Sequence, residues 1–164
     1  MPDTIEAGMR KLKLGGLARD WRSIPFENPE QYVAALLDLE LKEREVNRMN
    51  RMVHTAGFNV LKTLEDFEWT KVIELPGSLT REYMENLCFI PKKENLIFLG
   101  SVGTGKTHLA TAIALRACEQ GKRARFFTAA SLANILLEKN QKGTLNYYLG
   151  SLKKVELMVI TRLA

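Results

Sequence analysis

Apolar residues recur at helical spacing through the first third of the chain and later give way to short apolar runs. Ile5, Met9 and Leu12 keep a helical period, and Asp3 with Glu6 forms a capping-box pattern ahead of them. A first helix is therefore expected, broken at Gly15-Gly16. Asn28-Pro-Glu-Gln31 is a start signal, with Asn as the cap and Pro at the first helical position. The helix it opens is expected to reach about Val53, with Val33, Leu36, Leu37 and Leu41 apolar on one side. Charged residues dominate its second half, and Gly57 ends it. Residues 58–94 read as a connector carrying Phe58, Leu61, Leu64, Phe67 and Trp69. It also holds a turn at Leu75-Pro-Gly-Ser78 and a short helix over 80–89. The remainder alternates: a strand at Leu96–Leu99, a helix over His108–Gln120 stopped by Gly121, a strand at Arg123–Phe127 and a helix over about Ala130–Lys139. A polar gap around Gly143 and a last apolar strand, Val155–Ile160, complete it. This alternation predicts an α/β chain with a parallel sheet, divided as a helical region 1–57, a connector 58–94 and an α/β core 95–164.

The first strand and its helix enclose Gly100-Ser-Val-Gly-Thr-Gly-Lys-Thr107, a complete G-x-x-x-x-G-K-[ST] loop in the strand–loop–helix setting that motif requires. An ordinary glycine-rich turn leaves the Lys-Thr pair unexplained. Gly100, Gly103 and Gly105 let backbone N–H groups turn inward and phosphate oxygens approach without a Cβ in the way. The following helix directs its positive end at the same point. Lys106 is placed to reach the β- and γ-phosphates and the Thr107 hydroxyl to meet Mg2+. Candidate nucleotide-binding residues are Gly100, Ser101, Val102, Gly103, Thr104, Gly105, Lys106, Thr107 and His108. For His108 the plainer reading is a helix residue beside the loop. ATP or GTP is the expected ligand.

The 164 residues suffice for one good domain or two small ones, and 46% hydrophobic with 26% charged residues is ordinary for a water-exposed protein. No apolar run approaches the length of a membrane span, and Met1–Trp21 carries charges throughout, unlike a secretory signal. Cys88 and Cys118 read as buried free thiols rather than a disulfide; a cytoplasmic location is expected. The net charge of +5 is uneven, because residues 1–56 balance nine basic against nine acidic side chains. Local pattern says more. Arg44, Arg48 and Arg51 are spaced along one helix face, and Arg10, Lys11 and Lys13 cluster with Arg19 and Arg22 nearby. Either set is a solvated helix surface or a contact for DNA phosphates.

From Asn95 to Ile160 the sequence resembles the IstB-like helper ATPases of insertion sequences, relatives of the DnaC-type helicase loaders. The resemblance is carried by Gly-Thr-Gly-Lys-Thr-His-Leu-Ala110, Phe-Phe-Thr-Ala-Ala130 and Val-Glu-Leu-Met-Val-Ile160. Upstream, Lys62-Thr-Leu-Glu-Asp-Phe-Glu-Trp69 is similar to the segment preceding the ATPase core of that family, and Met9–Arg51 to its helical N-terminal region. The resemblance implies the first half of a P-loop AAA+ parallel-sheet domain, incomplete here, that binds ATP and Mg2+, assembles on DNA and assists a transposase. It further implies DNA contact by the arginine stripe, a homo-oligomer and a place for Phe67 near the adenine, where packing is the alternative. It also implies that Leu96–Leu99 and Val155–Ile160 are not neighbours in the sheet, the strand between them following residue 164. Either the available strands close that gap or the half-sheet is left with open edges and low stability.

The sequence departs from the family where the last strand ends. The family continues into two acids, one supporting Mg2+ and one orienting water; Thr161 and Arg162 stand here. A family-like ending Ile-Asp-Glu-Val-Gly, written ATC GAC GAG GTT GGC, yields Thr-Arg-Leu-Ala once a G after ATC is lost. A frameshifted or decayed copy is thus the expected origin of Thr161–Ala164, with drift or an imposed end as the alternatives. The expected function is a truncated, hydrolysis-deficient transposition helper without catalytic residues of its own. Competing readings are a DnaC-like helicase loader, a non-functional remnant, and a small-molecule P-loop kinase. The kinase is disfavoured because roughly ninety residues precede the loop and Phe127 is followed by Thr-Ala-Ala-Ser131, with no acid among them.

Overall fold

The computed structural model describes residues 2–69, 74–77 and 79–162. The chain forms two compact units, residues 1–50 and 51–164.

In the first unit, helix α1 (Pro2–Lys11) is followed by α2 (Gly15–Asp20), a 3-10 turn (Trp21–Ser23) and the start of α3 (Pro29–Ala56). Asp3 lies inside α1 rather than ahead of it, so it is not the expected cap, and its side chain lies outside the described residues. The first helix breaks before the glycines, at residues 12–14, where Lys13 takes a positive φ of 58°. Gly15 and Gly16 instead open α2. Gly16 permits close approach, since a Cβ there would come within 2.9 Å of Glu43 Cβ. At the start of α3 the Asn28 side-chain oxygen accepts the Gln31 N–H at 2.9 Å, as the cap pattern predicts.

The apolar side expected of α3 is not its packed side. Val33, Leu37 and Leu41 are exposed, while Leu36, Leu39, Glu40 and Glu43 are at least partly covered. The reason is a polar anchor. The Glu40 carboxylate is buried, accepting the Leu17 N–H at 3.4 Å and the Arg44 Nε–H at 2.9 Å, and this turns α3 so that residue 40 faces α2.

In the second unit, α4 (Arg81–Glu85) is shorter than the expected helix. Thr80 caps it by accepting the Tyr83 N–H at 3.1 Å, and Leu87, with φ 55°, ends it. The turn before it is closed by the Leu79 N–H on the Pro76 carbonyl at 2.8 Å; Ser78 lies outside the described residues. Helix α5 (Lys106–Glu119) forms the centre of this unit, with eight buried residues from Leu109 to Cys118. Strand β1 (Ala124–Thr128) leads into α6 (Ala129–Gln141) through a reciprocal cap between Thr128 and Ser131. Helix α7 (Leu145–Leu152) occupies the expected polar gap. Leu145, Tyr148, Leu149 and Leu152 keep helical spacing, so a signal for this helix was present in the sequence. Strand β2 (Leu157–Thr161) pairs with β1 in parallel, Phe126 opposite Val159.

Residues 58–94 supply much of the core. Leu64, Phe67, Met84, Leu87 and Phe89 form one buried cluster with Leu109, Ala112 and Ile113 of α5. Ala56, Ala114, Cys118 and Ala124 form another. Cys88 and Cys118 are free thiols; Cys118 is buried and Cys88 half-buried.

Leu96–Leu99, expected as a strand, is not one. Among the described residues the sheet has two strands. Leu96 and Phe98 pack against the first cluster, while Ile97 is 78% and Leu99 87% exposed. A strand is defined by its ladder, and no described segment pairs with this one. The two available strands do not close the gap; β1 and β2 pair with each other instead.

Candidate nucleotide-binding site

The phosphate loop is shaped by three glycines with positive φ: 148° at Gly100, 85° at Gly103 and 79° at Gly105. Such angles disfavour any side chain, so the sequence dictates this local path. Gly105 is the N-cap of α5 in the left-handed region, and the helix opens at Lys106 with its first-turn N–H groups free to face an anion. No acidic residue lies in that first turn. Ser101, Val102, Gly103, Thr104 and Thr107 are exposed, and Gly105 and Lys106 half-buried.

Inside the loop, the Thr104 hydroxyl donates to the Ser101 carbonyl at 2.9 Å, and the Lys106 ammonium donates to that carbonyl and to Thr104 Oγ1. The lysine is thereby held across the mouth of the loop, on the side where the glycines leave room. Thr107 is exposed, and its carbonyl accepts the Thr111 hydroxyl at 2.7 Å.

Behind the loop stands a wall the motif does not contain. Phe67 is 8% exposed, and a Cβ on Gly105 would come 2.9 Å from its Cε2. The Phe67 ring meets His108 edge-on, centroids 5.2 Å apart, and Trp69 at 5.0 Å. His108 Nε2 is 3.1 Å from the Thr63 carbonyl, which fixes the proton on that nitrogen, since a carbonyl only accepts. His108 thus holds the 63–67 segment against the loop helix, and Phe67 packs. The roles of Thr63 and of Phe67 as the wall behind Gly105 escape the sequence reading. A signal existed: Thr63 accepts the Asp66 N–H at 3.1 Å in a local turn of the kind Thr-x-x-Asp favours.

A groove of about 640 Å³ runs from Lys106 and Thr107 between the Leu96–Phe98 segment and β2. At the end of β2, the Thr161 hydroxyl donates to the Phe127 carbonyl at 3.4 Å, and Arg162 is exposed. Glu94 and Glu156 are the acids lining the groove, and Glu156 accepts the Arg123 N–H at 3.0 Å. Among the described residues no three His, Cys, Asp or Glu are grouped to hold a metal ion.

Arg44, Arg48 and Arg51 all lie in α3. Arg44 pairs with Glu40 and also donates to the Lys13 carbonyl at 3.5 Å; Arg48 is 3.8 Å from Glu45. Arg44 and Arg48 nevertheless keep more than half of their side-chain surface in solvent. In the second basic cluster, Arg19 bridges Asp20 and Glu43, and Arg22 meets Glu6 at 2.8 Å. The hydrogen bonds that Arg19 donates to Asp20 and then to Glu43 raise its pKa above the ordinary value.

The profile of the IstB-like ATP binding protein family matches residues 7–164. The chain belongs to this family. It is 31% identical to an insertion-sequence ATP-binding protein of Geobacillus stearothermophilus, over 98% of this chain and 66% of the relative. Against an insertion-sequence ATP-binding protein of Mycobacterium tuberculosis identity is 32%, over 74% of this chain and 51% of that protein. The replicative helicase loader DnaC of Escherichia coli is 29% identical, over 73% of this chain and 50% of the loader. The IstB-like chain thus spans between half and two thirds of the length of these relatives. Family membership places the loop in an ATP-binding lineage. Among the described residues no helix is long and apolar enough to cross a membrane.

Proposed function

We propose that this IstB-like chain binds ATP through the phosphate loop and serves in the cytoplasm as a helper for DNA transposition. The observation that carries the reading is the loop itself. Its glycines hold positive φ, and Gly105 is pressed on Phe67 so closely that even a methyl group is excluded. A cradle this bare accepts phosphate oxygens against backbone N–H groups. The phosphates then compete with the Ser101 carbonyl and Thr104 hydroxyl for the Lys106 ammonium. The Thr107 hydroxyl, exposed beside Lys106, is the group on this chain to meet Mg2+, which would neutralise phosphate charge. The residues proposed to touch nucleotide run from Gly100 to Thr107. His108 acts from behind through Thr63 and Phe67.

Binding without turnover fits the end of β2. Hydrolysis needs a carboxylate to support the metal and a group to orient water. Thr161 is neutral and Arg162 cationic, and Glu156 is occupied by the Arg123 N–H. DNA is the proposed partner of Arg44, Arg48 and Arg51, through phosphate contacts that carry little sequence information. Other copies of the chain and a transposase complete the proposed assembly. The helicase-loader reading draws on the similarity to DnaC, but the insertion-sequence relative from Geobacillus matches more of the chain, 98% against 73%.

The test is ATP titration of the pure protein and its Lys106→Ala variant, with phosphate release followed in parallel. Saturable binding lost in the variant, with no steady release from either protein, is expected. Equal affinity in the two folded proteins overturns the site, and release that depends on Lys106 overturns the hydrolysis reading.

A further inference from the structure

We propose that one face of α3 pairs two copies of this chain in antiparallel fashion. The pairing gives the proposed self-assembly a surface, and so rests on that part of the functional reading but on neither ATP nor DNA. Glu30, Ala34, Leu37, Leu41, Arg44 and Arg48 follow one another at alternating spacings of four and three residues. That is the seven-residue period of a coiled-coil seam. All six are exposed, Leu37 at 59% and Leu41 at 65%, with Val33 exposed beside them. Two leucines and a valine in line form a patch, which apolar residues scattered singly would not. The seam is left in solvent because another side of α3 does the packing within the first unit. There Glu40 accepts the Leu17 N–H, and Glu43 closes on Gly16. Those contacts also fix the helix in rotation, so the seam is presented by a held element.

Charge along the seam selects its occupant. The N-terminal end is acidic at Glu30, the centre apolar, and the C-terminal end basic at Arg44 and Arg48. A parallel copy would set like charges against each other. An antiparallel copy, related by a two-fold axis at Leu39, brings opposite charges together. Leu37 then faces Leu41 of the second copy, Ala34 leaves room for the long side chain of Arg44, and Glu30 meets Arg48. Each contact occurs twice, as an isologous pair demands, and the assembly closes at two copies. Arg44 keeps its Nε–H bond to Glu40 and lays its aliphatic stem over Ala34. The seam from Glu30 to Arg48 is about 27 Å long at the rise of an α-helix. So short a seam gives a weak dimer, with a Kd of about 1–100 μM. Arg44 and Arg48 are also proposed DNA contacts, so DNA competes with the second copy for this face.

The test is sedimentation equilibrium of the full chain over about 1–300 μM, free of DNA, with and without ATP. Wild type should pass from monomer to dimer in both conditions. Leu37→Lys/Leu41→Lys, at exposed positions, should keep its helicity and ATP affinity and weaken association by at least about 100-fold. Charge reversal reads the orientation. Glu30→Arg and Arg48→Glu should each weaken the dimer by about tenfold, and the two together should return it to within about threefold of wild type. A parallel pair would respond to neither single reversal, because each exchanges one like-charge contact for another. Wild type that stays monomeric without ATP overturns this interface, and if it is monomeric with ATP too, the proposed self-assembly falls with it. Association that survives the lysine pair, or that the double reversal fails to restore, overturns the α3 pairing while leaving self-assembly in place.

Discussion

The edge of the Phe67 ring lies where a side chain at residue 105 would have to go, 2.9 Å from the position of a Gly105 Cβ. A residue from the segment before the core thus closes the back of the phosphate loop, thirty-eight positions away in sequence. Gly105→Ala is expected to destabilise the second unit by about 2–3 kcal/mol, combining left-handed backbone strain with overpacking. In a Phe67→Leu background the overpacking part should vanish and the cost fall. Denaturant unfolding of the two single variants and the double variant measures the difference; strict additivity would refute contact as the cause.

Lys106→Ala should leave unfolding within about 0.5 kcal/mol of wild type, because the side chain is not part of either buried cluster. ATP affinity should nonetheless fall by at least about 100-fold, some 2.7 kcal/mol. Calorimetric titration of both proteins provides the comparison.

Glu40 gives the first unit a pH dependence. Burial pushes its carboxyl upward, but hydrogen bonds from Arg44 and the Leu17 N–H, with the arginine's charge, outweigh this and leave the pKa below its ordinary 4.5. A carboxyl depressed by folding adds stability that is fully present above its unfolded pKa. That stability is lost as pH falls through the lower folded value. Helicity of the first unit should therefore weaken on acidification below about pH 4.5, and Glu40→Gln should flatten that part of the profile. An unchanged acid profile in Glu40→Gln would assign the transition to other groups.

Removal of Arg44, Arg48 and Arg51 together should weaken DNA binding and reduce its salt slope, with little change in sequence preference. Arg44→Ala also strips Glu40 of its partner, so the Arg48→Ala/Arg51→Ala pair separates DNA contact from folding. Unaltered affinity and slope in that pair and in the triple variant would remove the stripe from the DNA surface.

The sequence by itself determined whatever depends on neighbouring residues. Asn28-Pro29 placed the start of α3 and Thr80 that of α4, because a cap is satisfied within a turn. The phosphate loop was legible for the same reason, since positive φ at Gly100, Gly103 and Gly105 is a local demand. Tertiary structure decided the rest. It turned α3 by burying Glu40 and leaving Leu37 and Leu41 in solvent, because a carboxylate held by the Leu17 N–H and Arg44 outcompetes an apolar face. It set Phe67 behind Gly105, a contact no local spacing encodes. And it left Leu96–Leu99 without a ladder, because an apolar run states only that a segment can be a strand; the partner across the sheet decides whether it is one.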